Sequence, residues 1–380
     1  MGGRVRVLHV SQKPNDIRAQ RAAFSTPDHE HALLLGTEYA HGPSTFTAPA
    51  EWGPGIPMAK VRASAKRADV QAAIAAMNPD LIHVHEPMTL RAVPIPEGVP
   101  VIVDHHEWER DRCMQWDSPR LRDIRCRLVD DALDRTRHHI VPSSGLADAL
   151  NEYRPGLEIT TIYNAPPMLP DGYRPRPELA REALKDFIQP DDRFVVFAGN
   201  MTPDRRIDLL LNTILHLQRK DPRWRLLALS PPNTVPPEVR HQLEATAMLC
   251  LEPCAYPWPW SLDRINMLDV LSLGTVGWSF AEVGFTSWRE SAPNKAFEYL
   301  AAGLPQVCDR GTWMSGNVLG AIALDDDAAL VAQSIIDEHD EGEKADLVFD
   351  GGYYQLRKFA CNGERQRAKL LDAYRSSVGA

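Results

Sequence analysis

Residues 79–106, PDLIHVHEPMTLRAVPIPEGVPVIVDHH, hold the pattern on which the fold turns. Two Val/Ile/Leu-rich runs inside it, LIHVHE (81–86) and VPVIVDHH (99–106), have strand length and are bounded by polar or proline-containing segments. Their nearly continuous apolar character predicts burial on both faces, as in a parallel sheet. Working outward, VRVLHV (5–10), HALLLG (31–36) and HHIVPS (138–143) are runs of the same kind, and helical patterns at 61–77 and 118–137 lie between them. Such alternation predicts an α/β, doubly wound, Rossmann-like domain. Ligands of these sheets bind beyond the carboxyl ends of the strands, so chemistry is sought there.

The text NAPPMLPDGYRPRP, beginning at residue 164, cannot continue a helix or a central strand. It reads as a hinge over 164–180. A second alternating set follows, with strands expected at 194–199, 224–230, 248–253, 269–278, 304–309 and 321–324 and helices at 207–219 and 293–302. The expected architecture is two doubly wound domains facing across a cleft, 1–165 and 166–362, with a last helix at about 363–380 packing back on the first. Length supports two domains, and a 44% apolar fraction supports a sizeable core. The net charge of -9 speaks against a dedicated nucleic-acid binder. No apolar run approaches the about 20 residues needed to span a bilayer. MGGRVRVLHV reads as a first strand, not a signal peptide. Six cysteines without paired CxxC spacing suggest reduced thiols and a cytoplasmic setting.

The most informative chemistry lies in ESAPNKAFEYLAAGLPQV, 290–307. Ser291 is a candidate N-cap, Pro293 suits a first turn and Gly303 suits a C-cap, so a helix is expected to open near Ala292. Its first-turn amides lack intrahelical partners and carry the positive end of the helix dipole, making an anion site to which Lys295 adds a full charge. Glu290 and Glu298 stand in Glu-x7-Glu spacing and suit sugar hydroxyls better than phosphate. On spacing alone the plainer reading is favoured, with Glu290 a loop charge and Glu298 a solvated helix residue.

This segment resembles the donor-site signature of retaining GT-B glycosyltransferases, specifically glycosyltransferase family 4, in which Glu-x7-Glu runs into small residues, Gly and Leu-Pro-Val. A second match, FVVFAGNMTPDRRIDLLLNTI (194–214), is similar to that family's strand, Gly, basic loop and Asp-Leu-Leu-Leu helix. Shorter matches follow in chain order: PDLIHVHEP (79–87), VIVDHHEWERD (101–111), IVPSSGLADAL (140–150) and IYNAPP (162–167). The resemblance implies that Gly199 opens the pyrophosphate loop. Asn200 stands where the family carries Arg and Arg205 where it carries Lys, while Arg206 replaces the usual Gly and offers a substitute cation. It further implies that Glu298 binds the nucleotide ribose, Glu290 the transferred sugar, and Asn294, Lys295 and the neighbouring amides the phosphates.

In the first domain His106 matches the family's active-site histidine, flanked by Asp104 and Glu107 at a strand end. His83 and His85 share one face of their strand. The His, Asp and Glu groups at these strand ends also suit a zinc site, with His-x-His and a third His, while capped strand-end histidines hydrogen-bonded to backbone are the bland alternative for His83 and His105. The DDD at 325–327 is explained by helix capping. SQKPNDIRAQRAAF (11–24) occupies the first βα loop, where many relatives carry Gly-Gly; here Asp16, Arg18 and Arg21 form a DxRxxR arrangement. Arg18 either orients a polar acceptor or pairs with Asp16 at the surface. The Arg-rich helix around 110–137 reads as a solvated face, with peripheral membrane contact or an anionic acceptor as the alternative. CAYPWPW (254–260) and SPPNTVPP (230–237) are candidates for lining the nucleotide base.

The resemblance implies a retaining, metal-independent glycosyltransferase of hexosyltransferase type that needs no cofactor. It would use a UDP- or GDP-linked sugar and a small-molecule, glycan or lipid-linked acceptor, with specialised metabolite biosynthesis as one setting. His106, Glu290 and Arg205 are the expected catalytic groups, and Arg18, His85, Asp104 and His106 the acceptor side. Hinge closure would exclude water from the donor. Two rivals are a sugar-nucleotide isomerase of the 2-epimerase kind and a non-catalytic sugar-nucleotide binder.

Overall fold

The computed structural model describes residues 5–11, 16–26, 29–35, 67–112, 118–165, 174–230, 249–251, 267–340, 359 and 363–379. The chain divides into two compact units, 1–167 with 358–380, and 168–357.

The first unit is a six-stranded parallel sheet in the order β2-β1-β3-β4-β5-β6. Its strands are β1 (Arg6–Ser11), β2 (Glu30–Leu35), β3 (Leu81–His85), β4 (Val101–Asp104), β5 (His138–Val141) and β6 (Glu158–Thr161). The pleat sorts their side chains onto two faces. Leu8, Val10, Ile82, Val84, Val101 and Val103 face the helix Arg67–Met77. Val5, Val7, Leu81, Ile102 and Ile140 pack with Leu370, Ala373 and Tyr374 of the helix Glu364–Val378. Register places His31 beside Val7, His9 beside His83 and His85 beside Asp104, so this second face carries a row of polar groups inside an apolar layer.

One sequence expectation changes here and one holds. Residues 11–24 are not simply a loop, because Ile17–Ser25 is a helix capped by the Asp16 side chain, which accepts the N–H groups of Arg18 and Ala19. Its periodicity was hidden because Arg18 and Arg21, both 6% exposed, point inward. The helix Pro119–Arg135 does carry a solvated, ion-paired face, with Arg110–Asp130 and Arg135–Asp131 contacts.

The second unit is a parallel sheet in the order β12-β11-β10-β7-β8-β9. Its strands are β7 (Arg193–Ala198), β8 (Trp224–Leu229), β9 (Leu249–Leu251), β10 (Gly274–Trp278), β11 (Gln306–Asp309) and β12 (Ala321–Leu324). The helices Ile207–Lys220 and Ala328–Asp340 contribute Leu210, Ile214, Leu217, Val331 and Ile335 to the core of one face. The expected strand over 269–278 is only half strand. Met267–Leu271 is a buried helical turn, and Asp269 within it accepts the N–H of Arg176 at 2.8 Å and pairs with its guanidinium at 2.9 Å. That partner is remote in sequence, so the apolar run alone could not reveal the turn.

The helix Asn294–Ala301 lies so close to β10 that a Cβ on Gly277 would sit 2.5 Å from the Tyr299 ring. Gly277→Ala is therefore expected to cost about 1–3 kcal/mol through overpacking, read as a lower urea midpoint; an unchanged midpoint would show that the ring yields. The Tyr299 hydroxyl accepts the N–H of Ala198 at 2.9 Å and lies 3.3 Å from the carbonyl oxygens of Val196 and Trp278. It ties β7 to β10.

Candidate functional site

In each sheet the strand order reverses direction at one point, between β1 and β3 in the first unit and between β7 and β10 in the second. Open parallel sheets bind ligands beyond the carboxyl ends of the strands at such points.

At the second unit's switch point β7 ends in Gly199, whose φ of +114° is accessible to glycine and strained for other residues. Asn200 follows, exposed, and the turn Pro203–Arg205 leads into the helix Ile207–Lys220. Arg206, at the N-cap, is left-handed with φ +52°. That backbone explains why glycine is expected there. The Arg206 side chain turns to Asp326 at 3.0 Å and to Asp208 at 3.9 Å. Its guanidinium is thus committed to surface acids instead of standing in for the charge absent at Asn200. Arg205 is half-buried, its guanidinium carbon 3.8 Å over the Trp288 ring.

Beside it opens the helix Asn294–Ala301, two residues later than the sequence suggests. Pro293, not Ser291, is the N-cap and offers no side-chain cap. At the other end Gly303, with φ +72°, closes a paired motif: its N–H reaches Leu300 O at 3.2 Å and the Leu304 N–H reaches Tyr299 O at 2.9 Å. Lys295 is only 7% exposed, and its Nζ has no hydrogen-bond partner among the described residues. It lies 5.1 Å from the Phe197 ring. Burial, then the nearby Arg205 charge, pushes the Lys295 ammonium well below its ordinary value. The Asn294 Oδ1 is likewise buried without a partner. Glu298 is 5% exposed on the same helix, whereas Glu290 ends the turn Thr286–Arg289 and pairs with Arg289 at 2.8 Å. Asp309, at the end of β11, accepts the Ala281 N–H at 2.7 Å, and burial pushes its carboxyl up to about 6. Asp327 caps the following helix by accepting the Ala329 and Leu330 N–H groups, as the capping reading of 325–327 requires.

In the first unit the switch point gathers His85, Glu86, Asp16, Asp104 and His106. Arg18 grips Asp104, its Nε within 2.8 and 2.7 Å of the two carboxylate oxygens, and bonds the Ile162 carbonyl. It is therefore a buried clamp and does not form the surface pair with Asp16. Burial works against charge on Asp104, but Arg18, His83 and His106 prevail and hold its carboxyl well below the usual range. His106 lies 3.4 Å from His85, 3.9 Å from Asp16 and 3.4 Å from Glu86. Glu86 has φ +67°, a strained conformation for a residue with a Cβ and one that clusters at functional sites. Sequence reasoning missed Glu86 as a site residue; the proline after it was the available signal. It also missed His9 and His31, which come from other strands.

The expectation of backbone-bonded histidines fails for both residues: His83 bonds the Tyr374 hydroxyl and His105 bonds His139, each at 3.0 Å. Donor atoms of His9, His83 and His85, and of Asp16, His85 and His106, lie within 4.8 Å of one another. The His83 and His85 rings stack at 4.3 Å, so their in-plane lone pairs do not converge. In the other set the ring nitrogens of His85 and His106 face each other at hydrogen-bond distance. We assign no metal ligands here. Residues 231–237, 254–260 and 166–173 lie outside the described residues.

Comparison with known proteins bears on the fold. Residues 16–165 match the model of Glycosyltransferase Family 4. No curated protein matches the chain by sequence. A sucrose-phosphate synthase from Thermosynechococcus elongatus has a similar structure, with TM-score 0.71 and 14% identity, over 98% of this chain and 99% of that one. An α,α-trehalose-phosphate synthase (UDP-forming) from Burkholderia vietnamiensis gives TM-score 0.66 and 13% identity over 98% and 100%. An E. coli trehalose-6-phosphate structure bound with UDP-2-fluoro glucose gives 0.60 and 12% over 97% and 99%. Among the described residues no helix is long and apolar enough to cross a membrane. Over residues 16–165 the chain is thus similar to glycosyltransferase family 4, and it has the two-unit parallel α/β fold of the GT-B glycosyltransferases.

Proposed function

We propose that the protein transfers a sugar from a nucleotide diphosphate sugar, UDP- or GDP-linked, to a small-molecule or glycan acceptor with retention of configuration. The observation that carries this reading is Lys295. A buried ammonium with no hydrogen-bond acceptor is costly, and here it sits beside Arg205 at the uncapped start of a helix. A diphosphate supplies what this place lacks: oxygen acceptors for Nζ, for the guanidinium and for the first-turn amides.

The chemistry on this reading is charge stabilisation and positioning. Lys295, Arg205 and the amides stabilise the departing diphosphate, Gly199 lets the backbone approach it, and Glu298 holds ribose hydroxyls. Glu290 exchanges its exposed Arg289 partner for a hydroxyl of the transferred sugar. Asn200 and Asn294 add neutral hydrogen bonds to the phosphates. In the first unit His106 and its carboxylates form the acceptor side, while Arg18, His85 and Asp104 hold that wall in place. Cationic side chains take the role a metal would have at the diphosphate.

Thermal melting with a panel of nucleoside diphosphates is the first test. UDP or GDP should raise the melting temperature, and Glu298→Ala should remove most of that rise. Arg205→Ala should chiefly slow transfer. Loss of neither property would overturn the donor site. Conversion of a sugar nucleotide to an isomer without any acceptor would favour an epimerase instead.

A further inference from the structure

Four imidazoles of the first unit are joined ring to ring. His31 Nε2 lies 2.8 Å from the carbonyl oxygen of Thr26, and its Nδ1 lies 3.0 Å from His9 Nε2. His9 Nδ1 lies 3.2 Å from His85 Nε2, and His85 Nδ1 lies 3.4 Å from His106 Nε2. The series ends where His106 Nδ1 meets Glu86 Oε1 at 3.4 Å. His9, His31 and His85 are at most 1% exposed.

A neutral imidazole has one N–H and one lone pair, so each ring passes a donor–acceptor direction to the next. The direction is set at the Thr26 end. A carbonyl oxygen only accepts, and the Thr26 hydroxyl gives its own proton to Ala22 O at 3.1 Å. His31 therefore carries its proton on Nε2 and accepts at Nδ1. His9 must then donate from Nε2 and accept at Nδ1, and His85 must do the same. That leaves the His85 Nδ1 lone pair facing His106 Nε2. The nearby Asp104 Oδ2, at 3.5 Å, cannot supply a proton while Arg18 holds it ionised. At the far side of His106 the Glu86 Oε1 faces Nδ1 and, as a carboxylate oxygen, can only accept from it. A neutral His106 satisfies one of these two demands; a ring with both N–H groups satisfies both.

We propose that the Thr26 carbonyl, His31, His9 and His85 form a relay of fixed polarity that keeps a proton on both ring nitrogens of His106. His9 and His31 are positioning residues acting through His85. The groups facing His106 agree. Asp16 faces it from the head of the first helix, Glu86 and His85 from the end of β3, and Asp104 from the end of β4. Burial opposes its charge, but Asp16, Glu86 and Asp104 prevail and raise it above the ordinary histidine value. Burial, with the neighbouring His83 ring next, keeps His9 and His85 well below theirs.

The molecule contains its own control. His139 is anchored on the Thr136 carbonyl at 3.1 Å and meets His105 at 3.0 Å, but the buried Nδ1 of His105 has no hydrogen-bond partner among the described residues. Burial and His139 bring His105 down to about 3. The same anchor without a carboxylate bonded at the far end gives a neutral ring. On the sugar-transfer reading, which this consequence alone rests on, His106 acts as a held cation and not as a base.

The experiment is long-range 1H–15N correlation on the full chain with 15N-labelled histidine at pH 7, without any sugar nucleotide. His31, His9 and His85 should each show the neutral Nε2–H tautomer, and His106 should be doubly protonated. An Nδ1–H tautomer at His9 or His31, or a neutral His106, overturns the proposal. His31→Gln preserves the direction, since the amide oxygen accepts from His9 and its nitrogen donates to Thr26. His31→Leu does not, which lets His85 reverse and a neutral His106 satisfy both partners. The His106 titration midpoint should hold in His31→Gln and fall by about one pH unit in His31→Leu; equal midpoints overturn the proposal. Should His31→Leu not fold, the tautomers of the native chain and of His31→Gln decide. One equivalent of zinc should leave the ring protons in place, and their displacement from His85 and His106 would assign the cluster to a metal instead. These readouts need no catalysis, so they can fail while sugar transfer stands, and the reverse.

Discussion

Replacing Arg18 with leucine is expected to destabilise the first unit by about 3–5 kcal/mol at neutral pH, because it strands the Asp104 carboxylate without its cation. Arg18 and Asp104 have side chains only 6% and 3% exposed, and the pair is charge-assisted at 2.7 Å. The sign with pH follows from Asp104. Its folded carboxyl lies well below the unfolded value, so it contributes stability above the unfolded carboxylate range, and that contribution is lost as pH falls through the folded value. In Arg18→Leu the carboxyl should titrate upward, so the variant's deficit in urea melts should shrink between pH 7 and pH 4. A deficit below about 1 kcal/mol at pH 7, the range of an exposed pair, would mean that water or His83 replaces the guanidinium.

The second large effect separates binding from stability. Lys295→Met should weaken UDP or GDP binding roughly 10- to 100-fold, the equivalent of losing charge-assisted hydrogen bonds worth about 1.5–3 kcal/mol. The same change should stabilise the nucleotide-free protein by about 1 kcal/mol or more, because a desolvated ammonium leaves an apolar site. The folded lysine value is lowered, so between it and the ordinary value the unfolded chain holds more protons and native stability rises with pH. The methionine variant should lack that rise. Calorimetric titration together with melting at pH 7 and 9 measures both. A variant that binds as tightly as the native protein would remove Lys295 from the diphosphate site.

The strands were legible in the sequence because a parallel strand buried on both faces needs a nearly continuous apolar run, and β1, β3, β4, β7 and β8 have one broken only by single polar residues. The helix Ile17–Ser25 was not, since its inward residues include Arg18, whose partner Asp104 lies 86 positions along the chain. Local pattern sees charge and predicts exposure; tertiary pairing overrules it. Met267–Leu271 failed for the same reason, its Asp269 being satisfied by Arg176, 93 positions away. On the proposed donor side, the grouping of Gly199, Lys295 and Glu298 was legible because one strand end and one helix carry them. The row His31, His9, His85 could not, because its members come from three strands and meet only through register. Period-2 spacing showed that His83 and His85 share a face but not what stands across from them.

The Tyr299 hydroxyl, hydrogen-bonded between the ends of β7 and β10, gives the second unit a mechanical character. The helix bearing Lys295 and Glu298 is moored to the mouth of the sheet through Tyr299 in its second turn, and Gly277 leaves no slack beneath the ring. On the sugar-transfer reading, a nucleotide arriving there would meet a rigid socket, leaving little ordering to be done on capture and more of the contact energy as affinity.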